Sequence, residues 1–178
     1  VIGAFLVMMV GFGVSFSYAA IAGALEAEFG ASRTAVSLVF AIGGFSTFTS
    51  SVFTGPLADR VGPRPVTMIG MVLVGLGLMT AATARSLSEI YLCYGLVIGL
   101  GIGFAYVPAV AAVQRWFVTW RGLASGIATA GIGCGTGLVP AAIRALEAAA
   151  DWRVALLVAG GGAILVGVTG ALLLSSSP

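Results

Sequence analysis

Two tyrosines stand within uncharged apolar stretches, and they are the side chains best suited to bind a solute there. Tyr18 and Tyr106 are 88 positions apart, and each follows closely spaced glycines that would leave room beside a helix. A phenol hydroxyl donates and accepts hydrogen bonds without bringing a charge into apolar surroundings. Ser17 and Cys134 lie in similar stretches, although a serine in a membrane helix often bonds its own backbone instead. We predict that Tyr106, Tyr18, Ser17 and Cys134 line a solute cavity, with Tyr106 as the main donor.

The residues needed for other chemistries are missing from the sequence. The chain has no histidine, its basic residues are all arginines, and its two cysteines lie in separate apolar runs. The sequence therefore offers no imidazole relay, no metal site built on His or paired Cys, and no nucleophile–base pair, and we predict no catalytic residue, no metal site and no cofactor. Pairs of glycines spaced Gly-x-Gly lie inside apolar runs rather than after a strand, which excludes dinucleotide binding. The sequence indicates that the protein is not an enzyme.

Composition restricts the class of protein before any element is placed. The chain is 60% hydrophobic and 8% charged, and its mean hydropathy is +1.14, whereas soluble domains are about 25% charged. So few charges cannot cover a water-facing surface, which excludes a soluble enzyme, a nucleic-acid binder and a disordered chain. We predict a multi-pass integral protein of the cell membrane, with lipid as its surroundings and no nucleic acid as a partner.

The charged residues cluster, and the intervals between clusters have the length of a membrane helix. A bilayer core requires about 20 apolar residues per helix. The runs are continuous, whereas the strands of a membrane barrel alternate polar and apolar residues. The 27 glycines also suit helices that pack closely in lipid. The sequence therefore predicts an all-α membrane protein whose six transmembrane helices cover residues 1–25, 34–54, 65–84, 90–113, 122–143 and 154–174.

An internal repeat relates the first three helices to the last three. When the chain is shifted by 88 positions, nine of the 33 residues from 11 to 43 meet an identical residue, where chance in this composition would give roughly three or four. Coincidence of glycine and aromatic positions is the alternative explanation. Because a unit of three helices crosses the membrane an odd number of times, the second unit must run in the opposite sense. We predict a 3+3 inverted repeat, about 1–88 and 89–178, as in secondary transporters.

A charged segment between the second and third helices has a recognisable spacing. It runs Gly-Pro-Leu-Ala-Asp-Arg-Val-Gly-Pro-Arg over residues 55–64, and we predict a tight loop in which Asp59 pairs with Arg60 or Arg64. The spacing resembles the Gly-x-Leu-x-Asp-Arg-x-Gly-Arg-Arg signature of the major facilitator superfamily, with one basic residue fewer. The resemblance implies a cytoplasmic loop that helps to lock one face of the transport cycle. The conformational residues that it implies are Gly55, Asp59, Arg60, Gly62 and Arg64.

A second segment, residues 115–131, resembles the entry to the fifth helix in the monocarboxylate transporters and their bacterial relatives. It matches an aromatic residue and Phe, then a basic pair, Leu-Ala and Gly-x-Ala-x-Ala-Gly. Trp120 stands where the first basic residue of the pair is expected. The matching positions that carry over are Arg121, Gly126 and Gly131. The opening of the chain is similar to the first helix of that branch, but the branch's Asp-Gly-Gly-Trp signature and its membrane lysine are missing.

The resemblance implies the N-terminal half of a twelve-helix transporter that moves small organic anions by alternating access. Tyr106 would then donate a hydrogen bond to a substrate carboxylate. A proton is the candidate co-substrate, and the second six-helix half is missing from this sequence. The eight arginines divide four against four between the two sides, so the orientation follows from the resemblance alone.

The sequence also fits two alternatives to organic-anion transport. One is a drug or metabolite exporter of the same superfamily, because Gly126, Gly133 and Gly137 fit the Gly-x6-Gly-x3-Gly spacing of drug/proton antiporters. Leu138 stands where the proline of that pattern would follow. The other alternative is a truncated membrane fragment that does not transport.

Overall fold

The fold is a bundle of membrane-spanning helices. The structure, a computed structural model, describes residues 1–174, and the regular elements among them are all helical. Six helices are long and apolar enough to cross a membrane, which confirms the predicted all-α membrane protein. The end of the predicted second repeat, residues 175–178, lies outside the described residues. The helices are α1 (Ile2–Phe29), α2 (Arg33–Val61), α3 (Pro63–Ala81), α4 (Leu87–Trp116), α5 (Arg121–Ala149) and α6 (Trp152–Leu172).

The helix starts follow local capping rules. The side chains of Ser32, Ser86 and Asp151 each accept a hydrogen bond from a backbone amide at the start of α2, α4 and α6. Such side chains satisfy amides that have no partner inside the helix. Pro63 begins α3, where the amide that proline lacks is not needed.

The predicted loop at 55–64 is wrong in its extent. Helix α2 continues to Val61 with Pro56 inside it, and only Gly62 separates it from α3. Gly62 has φ +91°, a backbone conformation that residues other than glycine rarely adopt. The prediction ended the helix at the first charges, but a charged turn can remain helical when it projects beyond the hydrocarbon. Most of the signature therefore lies on the last turns of α2.

Two helices are irregular. Helix α1 is interrupted at Ser17, so that it consists of the segments Ile2–Phe16 and Tyr18–Phe29. Helix α4 begins with the turn Leu87–Ile90, continues as a π-helix over Tyr91–Ile98, and becomes an α-helix over Gly99–Trp116. π-Helical turns are rare and are often found at functional sites.

The helices pack in pairs. Helix α1 packs on α5, and α4 packs on α2; likewise α3 contacts α4, and α1 contacts α6. Helices α3 and α6 also pack against each other. An exchange of helices α1–α3 with α4–α6 would reproduce these pairs. Helices α2 and α5 are the least buried of the six, with apolar faces exposed along much of their length.

Glycines allow some of these pairs to approach closely. A Cβ atom at Gly70 of α3 would lie 2.5 Å from the Gly101 carbonyl oxygen of α4, and a Cβ atom at Gly101 would lie 2.7 Å from the Gly70 carbonyl oxygen. A methyl group at Gly135 of α5 would overlap the backbone of Met9 in α1. Small residues of this kind let helix backbones make contact in lipid, where apolar burial does not drive association.

Polar contacts join α2 to α4. Thr47 Oγ1 donates to the Gly99 carbonyl at 3.0 Å, and Thr54 Oγ1 donates to the Gly103 carbonyl at 3.1 Å. Both threonines are buried. Interhelical hydrogen bonds in lipid fix the register of two helices because an unpaired hydroxyl there is costly. They hold α2 beside the part of α4 that carries Tyr106.

Candidate functional site

Aromatic side chains from three helices form the best candidate for a solute surface. Phe12 meets Tyr106 edge to face at 5.3 Å between ring centroids. Phe40 of α2 lies 5.5 Å from Phe16 and 6.1 Å from Tyr18 by the same measure. Phe16 and Phe40 are exposed, whereas the other three rings are partly buried. We name this group, Phe12, Phe16, Tyr18, Phe40 and Tyr106, the aromatic wall.

Tyr106 is held in the wall but keeps its hydroxyl available. Its ring packs against Phe12, with Gly11, Ile102 and Ala105 close by. The hydroxyl makes no hydrogen bond to another residue that the structure describes. A partly buried phenol with a free hydroxyl can receive an acceptor from a solute.

Tyr18 lies further along α1 and has a polar neighbour. Its hydroxyl is 3.3 Å from Ser37 Oγ of α2, and Ser37 Oγ in turn donates to the Arg33 carbonyl at 2.8 Å. Phe12, whose ring contacts Tyr106, and Tyr18 are six positions apart on α1, or about 9 Å of helix rise. Tyr106 and Tyr18 therefore join the wall at different levels along α1.

The other two predicted cavity residues, Ser17 and Cys134, are not among the rings of the aromatic wall, and their place in a cavity stays a prediction. Ser17 is buried, and its hydroxyl donates to the Gly13 carbonyl of its own helix at 2.6 Å. A hydroxyl that is already bonded in this way is not available to a solute, so Ser17 is not included in the proposed binding site. Cys134 is exposed on α5, and its thiol has no disulfide partner.

The wall has no charge of its own. The charged residues of the described chain lie toward helix ends or in the short connections, and neither of the two described ion pairs reaches the wall. No group of three or more potential metal-ligating side chains occurs between residues 1 and 174. The wall can therefore bind a small partly apolar solute and orient its polar end by hydrogen bonds.

The predicted pairing of Asp59 with Arg60 or Arg64 is wrong. Asp59, near the end of α2, forms its ion pair with Arg115, near the end of α4. The packing of α2 against α4 brings these two helix ends together. Arg60 and Arg64, although nearer in sequence, form no ion pair with Asp59. The pair is exposed, so water and salt weaken it. We name this ion pair, which joins the ends of α2 and α4, the Asp59–Arg115 latch.

The other residues of the signature lie around this latch. Arg60 and Arg64 are exposed, and neither forms an ion pair with a described residue. Gly55 is partly buried on α2, where a Cβ atom would lie 3.8 Å from a methyl group of Val107. Gly62 makes the turn into α3. Their conformational role stays a prediction.

Of the residues predicted at the entry to α5, Arg121 and Gly126 have open surroundings, whereas Gly131 lies where α5 packs on α1. Arg121 is exposed as the first residue of α5. A methyl group at Gly131 would overlap the backbone of Phe5 in α1, so this glycine allows close packing. Gly126 has open space around it, as have Gly133 and Gly137.

Sequence reasoning missed several of the residues that build the site. Phe12 and Phe40 have no hydrogen-bonding group, and in the sequence they cannot be told apart from phenylalanines that face lipid. Arg115 is 56 positions from Asp59, and only the fold brings them together. A cluster at the opposite end, formed by Glu28, Trp152 and Arg153, was missed for the same reason.

The described chain is thus a six-helix membrane bundle with an uncharged aromatic wall and an exposed ion pair at one end. The chain belongs to the major facilitator superfamily, whose family model matches residues 3–178. It is 34% identical to human monocarboxylate transporter 14 over 151 residues, which cover 85% of this chain and 30% of that protein. It is 32% identical to rat monocarboxylate transporter 13 over 173 residues, which cover 97% of this chain and 40% of that protein.

A third relative, mouse monocarboxylate transporter 1, is 30% identical over 154 residues, which cover 86% of this chain and 31% of that protein. The chain thus spans about a third of the length of the curated relatives it matches. The superfamily is one of transporters rather than enzymes, in agreement with the prediction from composition.

Proposed function

We propose that the chain forms the N-terminal half of a secondary transporter that carries small monocarboxylates across the cell membrane by alternating access. One observation carries this proposal. The ring of Tyr106 is partly buried in the aromatic wall, and its hydroxyl bonds no other described residue. The hydroxyl would donate to the substrate carboxylate, while Phe12 contacts the apolar part of the solute. The names of the similar transporters support this substrate class.

A second six-helix half is part of the proposal. The greater length of the relatives allows for it, and the exposed apolar faces of α2 and α5 offer surfaces for it to pack on. The solute would bind between the halves, and the Asp59–Arg115 latch would help to close one end. The proposed co-substrate is a proton. Groups of the second half would carry it, because the described charges lie toward the ends of these helices.

Export of drugs is the competing function, and it is separated from monocarboxylate uptake by measuring transport. The aromatic wall contains neither an acidic nor a basic side chain, so its charge does not select between a cation and a carboxylate. The open glycines at 126, 133 and 137 fit the exporter pattern, but open space beside a helix serves packing equally well.

The test is transport in proteoliposomes by the complete transporter polypeptide that contains residues 1–178. We expect uptake of labelled L-lactate, increased by an inward proton gradient, and weaker uptake of oxalate. Export of tetraphenylphosphonium without lactate uptake would contradict the proposal and favour a drug exporter.

Tyr106→Phe tests the assigned donor. A hydrogen bond to a charged group is worth about 1.5–3 kcal/mol, so its loss should lower lactate kcat/KM about tenfold or more. The matched control is Tyr91→Phe on the same helix, because the Tyr91 hydroxyl already donates to the Ala35 carbonyl at 2.7 Å. Equal lactate uptake by the Tyr106 variant and the parent would remove Tyr106 from the site.

A further inference from the structure

The interruption of α1 at Ser17 has a specific hydrogen-bond pattern. The Ser17 amide donates to both the Gly13 and Val14 carbonyls, at 3.1 and 3.0 Å. The Ala20 amide then donates to the Ser17 carbonyl at 2.9 Å, a tighter turn than that of an α-helix. In a continuous α-helix the Val14 carbonyl would accept from the Tyr18 amide. Ser17 is not a proline, but its hydroxyl donates to the Gly13 carbonyl of its own helix at 2.6 Å, a contact that often bends a helix.

A side chain of α4 also donates to the backbone of α1 at this point. The Tyr94 hydroxyl donates to the Val14 carbonyl at 2.6 Å, and Tyr94 is buried. A side chain that enters the backbone hydrogen-bond ladder is a known cause of helix kinks. The hydroxyl needs an acceptor because a buried phenol without one is costly. The bond thus occupies the carbonyl that the Tyr18 amide would otherwise use.

The π-helix of α4 presents Tyr94 to α1. It contains a second tyrosine, Tyr91, whose hydroxyl donates to the Ala35 carbonyl of α2 at 2.7 Å. A Cβ atom at Gly95 would lie 2.9 Å from a methyl group of Ile42, so this segment packs closely on α2. Two tyrosines three positions apart therefore attach one irregular segment to two different helices.

We infer that Tyr94 is a positioning residue, whose hydroxyl keeps α1 interrupted at Ser17 and thereby places Tyr18 beside Ser37 and Phe40 in the aromatic wall. Without this hydroxyl, the Val14 carbonyl accepts from the Tyr18 amide and α1 becomes a continuous helix. Tyr18 then leaves its place against α2. The consequence for substrate rests on the proposed function, whereas the change in α1 does not.

The experiment follows the Tyr18 amide by NMR in the chain of residues 1–178 in phospholipid nanodiscs. Because the chain has four tyrosines, selective ¹⁵N-tyrosine labelling gives four backbone amide signals. Tyr94→Phe keeps the ring and removes only the donor, and Tyr91→Phe is the matched control from the same segment. Each variant also assigns the signal that it removes, and Tyr18→Phe assigns the signal of interest.

In Tyr94→Phe we expect the Tyr18 amide signal to shift and its hydrogen exchange to slow tenfold or more, while Tyr91→Phe leaves both unchanged. An unchanged Tyr18 signal in Tyr94→Phe would overturn the inference. The same change in both variants would also overturn it, because a general loosening of α4 would then be the cause.

Lactate uptake by the complete transporter separates this inference from the proposed function. We expect Tyr94→Phe to raise the lactate KM at least threefold with Vmax within twofold of the parent. If the parent takes up no lactate while the Tyr18 signal responds as expected, the proposed function fails and the positioning role stands. If the parent takes up lactate and the KM does not change although the Tyr18 signal moves, Tyr94 positions Tyr18 without acting on the substrate, and the expected effect on lactate binding is overturned.

Discussion

Arg153 Nη2 lies 2.5 Å from Glu28 Oε1, although the two residues are 125 positions apart. Trp152 Nε1 donates to the other oxygen of the same carboxylate at 2.6 Å. Arg153 Nη1 donates to the Ala82 and Ala84 carbonyls, each at 2.8 Å. The guanidinium thus joins the end of α1, the carbonyls that follow α3 and the start of α6. This cluster lies at the end of the bundle opposite the Asp59–Arg115 latch.

Removal of the Arg153 side chain should destabilise the bundle. We expect Arg153→Ala to lower the free energy of unfolding by about 2–3 kcal/mol, because hydrogen bonds to charged groups are worth about 1.5–3 kcal/mol and are not additive. The measurement is unfolding by SDS in mixed micelles. Arg144→Ala is the control, because Arg144 is exposed and forms no ion pair with a described residue. Its effect should stay within about 0.5 kcal/mol, and equal losses in both variants would contradict this assignment.

The latch should contribute much less to stability than the Arg153 cluster. The side chains of Arg115 and Asp59 are 44% and 61% exposed, and exposed ion pairs are worth about 0–1 kcal/mol and are screened by salt. A double-mutant cycle with Asp59→Asn and Arg115→Gln should give a coupling energy in that range, which decreases as NaCl is added. A coupling energy above about 2 kcal/mol that does not respond to salt would show that the pair is a structural element rather than a latch.

The sequence predicted the number and type of the helices because hydrocarbon imposes a minimum apolar length. It did not predict where α2 ends, since charges outside the hydrocarbon do not stop a helix. The sequence also paired Asp59 with Arg60 or Arg64, because separation along the chain is the only distance that a sequence gives. The packing of α2 on α4 instead brings Arg115 to Asp59. Long-range partners of this kind need the fold.

The aromatic wall likewise contains residues that the sequence predicted and residues that it did not. Tyr18 and Tyr106 stood out because they are 88 positions apart and each follows closely spaced glycines, and both belong to the wall. Phe12 and Phe40 could not be separated by type from Phe45, which is exposed on α2. The helical signal likewise gave no sign of the interruption at Ser17, because the donor that occupies the Val14 carbonyl comes from another helix.

Adjacent polar residues of α2 should respond to substitution with opposite signs. Thr47→Val removes the hydrogen bond to the Gly99 carbonyl and should cost about 0.6 kcal/mol, the average for such bonds between membrane helices. Ser46 is 3% exposed, and its hydroxyl has no partner among the described residues. Ser46→Ala removes a costly unpaired group and should stabilise the chain by up to about 1 kcal/mol. Unfolding by SDS measures both, and a loss of stability in Ser46→Ala would reveal a partner for that hydroxyl.

Two glycines of α5, two positions apart, offer the sharpest test of the helix packing. A methyl group at Gly135 would overlap the Met9 carbonyl of α1, and backbone atoms cannot move aside as a flexible side chain can. Gly135→Ala should therefore force α1 and α5 apart and destabilise the bundle by about 1–3 kcal/mol. At Gly133, apart from the adjoining backbone of α5, no atom of the described residues lies within 4 Å of the position that a Cβ would take.

Gly133→Ala is accordingly the matched control, since it adds the same methyl group to the same helix. It should leave stability unchanged or raise it by up to about 1 kcal/mol, because alanine favours the helix over glycine. Thermal unfolding of the two variants in the same detergent gives the comparison. If the order of stability were reversed, the open side of α5 would be the packed one, and the pairing of α1 with α5 through Gly135 would be wrong.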